Sequence, residues 1–145
     1  MSPITAPATE PTVVRRVFPA WSITIPTTLR EAFVEEDAYW HAWDRRRSVS
    51  MTSVIVADQR GRPLASRKIL RRCPPERGQR VEVPPGLAGW AIVVPQPQPS
   101  RESRAISGVL VRDGGLLIAT VRADDLVWAE AVWRSIRLES EGVPR

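Results

Sequence analysis

The most regular pattern along this chain is alternation of apolar and polar positions. It runs from Trp21 to Ile25 and stops at Pro26, which predicts one half-buried strand. In a later run Val49, Met51, Ser53 and Ile55 fall on one side, and Ser50, Thr52, Val54 and Val56 on the other. Tyr39–Trp43 precedes it across the polar stretch Asp44-Arg45-Arg46-Arg47-Ser48, so the pair predicts a hairpin. Trp90 to Val94 is apolar without a break, the pattern of a strand covered on both faces, and Arg80 to Val83 reads as a short edge strand. Arg104–Arg112 and Leu116–Val121 flank Asp113-Gly114-Gly115, the strongest short-range hairpin signal in the chain.

Helical spacing occurs in three places. Thr28 with Glu31 has the interval of a capping box, and Leu29, Ala32 and Phe33 share one helical face, which predicts a helix over 28–36. Glu35, Glu36 and Asp37 would oppose the dipole at its C-terminus and keep it short. Pro63 opens a second helix reaching Arg72, ended by Pro74-Pro75. In the third, Asp124 or Asp125 serves as cap, and Leu126, Ala129, Trp133 and Ile136 recur on one face with Val132 beside them. Together these segments predict an α+β fold: an antiparallel sheet of about six strands packed with two or three helices, including a long C-terminal helix. The expected divisions are a flexible tail over 1–12, one domain over 13–138 and a second tail over 139–145. Asp58-Gln59-Arg60-Gly61 reads as a turn, and Pro95-Gln96-Pro97-Gln98-Pro99 as an extended solvated loop.

Composition narrows the class. At 145 residues, 43% apolar and 26% charged, the chain has the balance of one globular domain. No apolar run approaches the ~20 residues of a membrane-spanning helix. The start has no basic segment and no apolar stretch, so no secretory signal is expected and the expected compartment is the cytoplasm. Cys73 is the one cysteine, which excludes an internal disulfide. The net charge of +5 comes from twenty arginines and one lysine, Lys68, in a chain with no asparagine. That skew is what GC-rich coding produces by itself, so it bears on solubility before it bears on any ligand.

The chemistry-bearing residues are few. His41 and Cys73 are the only nitrogen and sulfur ligands, with no CxxC or HExxH spacing, so neither metal nor cofactor is expected. Phosphate loops, GxSxG elbows and SxxK motifs do not occur. An enzyme would have to use His41 to activate a serine or Cys73. A half-buried ring between Tyr39 and Trp43 is the simpler account of His41, and the expectation is a chain without catalytic activity. Tryptophan is in surplus, with six against two phenylalanines and one tyrosine. Trp21, Trp90 and Trp133 read as core. Trp128 lies about 140° from Trp133 on a helical wheel, at the edge of the apolar stripe. Trp40 and Trp43 have opposite parity in their strand, so one of them faces away from the core. Tryptophan at a surface supplies large rigid contact area. The candidate partner-binding set is therefore Trp40, Trp43, Arg45, Arg46, Arg47 and Trp128, with a protein partner expected, a second copy of the chain included. The alternative is nucleic acid held by the same turn together with Arg71, Arg72, Arg77 and Arg80.

One resemblance runs through the order of elements. The strand Trp21-Ser22-Ile23-Thr24-Ile25-Pro26 leads into a short capped helix. The hairpin strand Leu116-Leu117-Ile118-Ala119-Thr120 leads into a long helix closing in Trp133-Arg134-Ser135-Ile136. Over residues 20 to 137 this order resembles the Mog1/PsbP-like α/β/α sandwich family. The resemblance implies a non-enzymatic fold whose members act as binding or accessory proteins, and it carries no binding residue over to this chain. The composition is also similar to that of small proteins from GC-rich actinobacteria.

Overall fold

Alternation becomes strand almost everywhere it occurs. The computed structural model describes residues 10–94 and 104–139. Ten strands and two α-helices follow one another among them: β1 (Thr12–Phe18), β2 (Trp21–Pro26), β3 (Arg30–Val34), β4 (Tyr39–Trp43), β5 (Ser48–Ile55), α1 (Ser66–Arg72), β6 (Gln79–Val81), β7 (Ala88–Val94), β8 (Arg104–Arg112), β9 (Gly115–Ala123), α2 (Leu126–Arg134) and β10 (Arg137–Leu138). A single 3₁₀ turn, Glu35–Asp37, joins β3 to β4. The class is α+β and almost wholly antiparallel, as the patterning predicts.

Seven strands form one sheet in the order β3-β4-β5-β9-β8-β7-β6, and β1, β2 and β10 form a second. The Asp113-Gly114 hairpin forms with Arg112 opposite Gly115, and Gly114 supplies the positive φ of 82° that the turn demands. Inward residues of the large sheet (Trp40, Ala42, Val49, Met51, Leu117, Ala119, Val121, Ile106, Leu110) meet Trp21, Ile23 and Ile25 of β2 and Ala129, Trp133 and Ile136 in and beyond α2. Trp133 is fully buried and its indole N–H donates to the Glu82 carbonyl at 2.9 Å. On the opposite face α1 covers only the β7–β8–β9 side, where Ile69 and Leu64 pack on Trp90, Ile92, Val109, Val111 and Leu116. The remainder of that face, over β3, β4 and β5, has no helix or sheet on it among the described residues.

Four expectations need correction. The segment 28–36 is not a helix. Its residues form edge strand β3 and the 3₁₀ turn, because pairing with β4 over five consecutive positions satisfies more backbone groups than a lone short helix could. The C-terminal helix is nine residues rather than long, since Ser135 is drawn off to the small sheet, accepting from the Thr24 N–H at 3.0 Å. The helix expected from Pro63 begins at Ser66. The described residues form ten strands, the additions including β1 and the two-residue β10. Order already starts within the expected first tail, with Thr12 in β1 opposite Pro26, and reaches into the second, where the Glu139 N–H donates to the Ala20 carbonyl at 2.7 Å. The rest of both tails, 1–9 and 140–145, and the loop Pro95–Pro99 lie outside the described residues.

Candidate functional site

Strand parity builds the site. In β4, Trp40 and Ala42 point into the core, so Tyr39, His41 and Trp43 all point to the open face. There they form one column. The Tyr39 and His41 rings are 6.1 Å apart, and His41 stacks on Trp43 at 4.7 Å with 22° between planes. The ladder registers then define three rows across the face. Val34, Tyr39, Thr52, Ile118 and Val109 make an apolar row; Ala32, His41, Ser50, Thr120 and Ser107 make a row of small and hydroxyl side chains. Arg30, Trp43, Ser48, Arg122 and Ala105 make a row in which two arginines bracket a tryptophan. Ser107 and Thr120 share a hydrogen bond of 3.2 Å across their pair. Ile118 is 44% exposed and Val34 42%, large values for apolar residues on a sheet.

At the lower end of the column the β4–β5 turn carries the arginine run. The Asp44 carboxylate accepts from the backbone N–H of Arg46 and Arg47 at 2.8 and 2.7 Å, which tightens the turn. Arg47 is engaged by its neighbours. It donates to Glu10 through both terminal nitrogens, at 2.6 and 2.8 Å, and to Asp44 through Nε at 2.8 Å. Its guanidinium lies 4.8 Å from the centroid of the Trp128 ring. The Arg47 hydrogen bonds hold the Glu10 carboxyl below its ordinary range, against the upward push of burial. At Asp44 burial is the largest single influence and pushes upward, but the Arg47 side chain and the two backbone N–H groups together outweigh it, so this carboxyl is also lowered. Arg47 itself is shifted up, chiefly by Glu10.

This turn and the β9–α2 junction enclose an open groove of about 750 Å³, lined by Asp44, the three arginines 45–47, Ala123, Asp124, Asp125 and Trp128. Asp125 is spent as the α2 cap, accepting from the Val127 N–H at 2.9 Å. Arg45 and Arg46 are exposed and have no carboxylate partner among the described residues.

The six residues singled out from sequence thus separate. Arg45, Arg46, Arg47 and Trp128 gather around the groove, and Trp43 stands on the open face. Trp40 is 4% exposed and belongs to the core, so it offers no surface to a partner. Strand parity places one of Trp40 and Trp43 away from the core, and that one is Trp43. Trp21, Trp90 and Trp133 are buried as expected. Sequence reasoning missed Arg30, which it placed in a helix, and Arg122, which lies one residue past the expected end of its strand. Continuing the Leu116, Ile118, Thr120 parity by one step would have found Arg122. His41 has Ser50 opposite it in the ladder but no hydrogen bond to it, and Asp44 is committed to Arg47. Cys73 packs in the second cluster under α1, by β7 and β8, toward the opposite edge of the sheet from β4. Among the described residues no group of three or more His, Cys, Asp or Glu is placed to hold a metal ion, and no helix is long and apolar enough to cross a membrane.

No family model and no curated protein matches this chain. A solved structure from Bacteroides thetaiotaomicron is similar at a TM-score of 0.60 and 8% identity, over 83% of this chain and 46% of that one. This chain therefore spans less than half the length of that neighbour, and at such identity the likeness shows the fold alone.

Proposed function

We propose that this chain is a non-enzymatic binding or accessory module that works by surface contact, through the open sheet face bearing Tyr39, His41 and Trp43. One observation carries the reading: three rings stand in a column where no described element packs, in a chain that buries four of its six tryptophans elsewhere. Rigid aromatic surface of this kind concentrates binding energy in few residues. The resemblance to a family of accessory proteins points the same way, and a protein partner is the first expectation. The chain and a Tyr39→Ala/Trp43→Ala double variant, matched in circular dichroism, should be compared by affinity purification from the native cell. The expected result is a partner recovered with the parent chain and lost with the double variant. Identical recoveries would sink the reading.

A second reading has its own support. Arg30 and Arg122 bracket Trp43 in one row, neither is engaged by a carboxylate among the described residues, and Arg45 and Arg46 extend the positive end. A single strand of nucleic acid would find there a ring to stack on and cations for its phosphates. Fluorescence anisotropy with a labelled oligonucleotide tests it. Affinity should fall linearly on logarithmic axes as salt rises, with a shallower slope for Arg30→Ala/Arg122→Ala. Absence of binding at low salt refutes it.

A further inference from the structure

The large sheet has two edges, and they are finished differently. β6 is three residues long and lies between Pro74-Pro75 and Pro84-Pro85, the short, proline-flanked form that resists further pairing. β3 has neither protection. All five of its residues are exposed, Phe33 at 50%, and its register with β4 is unbroken by any bulge. It contains no proline and no lysine. Alternate backbone N–H and C=O groups of such a strand point outward, with no backbone partner among the described residues, which is a template for another strand.

We propose that the occupant is β3 of a second copy, running antiparallel about a two-fold axis at Ala32. The strand's own sequence is self-complementary in that arrangement. Arg30 stands opposite the second copy's Val34 and next to its Glu35 and Glu36, and symmetry repeats the contact at the other end. On the core side the two Phe33 side chains become diagonal neighbours, extending the contact that each makes with its own Phe18 at 5.8 Å. Glu31 adds no uncompensated charge, because Arg15 holds it at 3.0 Å. The union gives one continuous sheet with the two open faces on the same side. The two columns of Tyr39, His41 and Trp43 then stand about 14 Å apart, three strand spacings. The pairing uses the edge and not those rings, so it stands or falls separately from the function proposed for the open face.

Sedimentation velocity over a concentration series tests it. The chain should reach twice its monomer mass as concentration rises. Arg30→Glu places two like-charge contacts at the symmetric ends and should weaken the dimer by about tenfold or more. Combining it with Glu35→Arg and Glu36→Arg should restore the dimer, a rescue that no folding defect would produce. Tyr39→Ala/Trp43→Ala should leave the mass unchanged. A monomer at every concentration overturns the proposal. So does a dimer that Arg30→Glu and Phe33→Lys both leave intact, since its interface would then lie elsewhere.

Discussion

Arg47 ties three parts of the chain together: Glu10 before β1, Asp44 in its own turn, and Trp128 on α2. The planar fork is what makes this possible, since it can bond two carboxylates edge-on while its face lies over a ring. Arg47→Lys keeps the charge and loses the geometry, so urea denaturation should show a loss of about 1–2 kcal/mol, whereas Arg45→Lys should cost nothing measurable. Equal effects at the two positions would contradict this account. The same cluster sets an acid limit. Glu10 and Asp44 are both lowered in the folded state, so the unfolded chain takes up protons first as pH falls. Their contribution is fully present above the ordinary values of 4.5 and 3.8 and is lost on descending through and below them. Denaturation midpoints measured from neutral to acid pH should decline over that window, and Asp44→Asn should flatten the decline. From sequence, the three consecutive arginines are indistinguishable. What sets Arg47 apart is a partner 37 residues away, and no local pattern carries that information.

Among the elements, β8 makes room for Trp133 of α2 at Gly108. A Cβ on Gly108 in β8 would stand 2.6 Å from Cη2 of Trp133 and would clash with the Trp90 carbonyl oxygen, so the glycine is the gap into which the indole fits. Gly108→Ala should therefore cost about 2–3 kcal/mol, seen as a lower thermal midpoint by circular dichroism. Trp133→Phe in that background should recover part of it by shortening the ring. No recovery would mean that the backbone clash alone sets the cost. Element identity was legible wherever local pattern and tertiary demand agree: the Asp-Gly hairpin, the alternating run of β5, the capped start of α2. It failed at β3, where a capping interval and an apolar i, i+3, i+4 face coincide with a segment that the sheet needs as an edge. Arg30, Ala32 and Val34 take the open side because β4 fixes their register, and the helical periodicity of one short segment cannot outweigh that pairing. The candidate site was half legible for the same reason. The aromatic column follows from parity within β4, but the arginines that flank it come from strands whose alignment only the whole sheet determines.

At the scale of the molecule, two apolar clusters occupy opposite faces of the same strands. Ala91, Ile106, Leu110 and Leu117 face the cluster under β2 and α2; Trp90, Ile92, Val109, Val111 and Leu116 face the cluster under α1. Consecutive residues of β7, β8 and β9 thus serve different clusters, and neither can be lost while those strands remain a sheet whose other face is intact. Separate unfolding of α1 would leave Ile92, Val109 and Leu116, all buried in the folded state, facing water together. The two sheets are coupled through the main core, where Trp21, Ile23 and Ile25 of β2 pack with Met51, Leu117 and Val121 of the large sheet. Within the small sheet β10 pairs Arg137 with Ser22 and Leu138 with Trp21, joining the far end of the described chain to its second strand. The expected behaviour is one cooperative transition, in which tryptophan fluorescence and far-ultraviolet circular dichroism superimpose across a denaturant series. Ile69→Ala truncates the buried side chain by which α1 packs on the sheet, so it should shift that single transition by about 2–4 kcal/mol without splitting it. Two resolved steps in the variant, the first reported mainly by Trp90, would show that α1 is a detachable cover and that the sheet alone holds the main core.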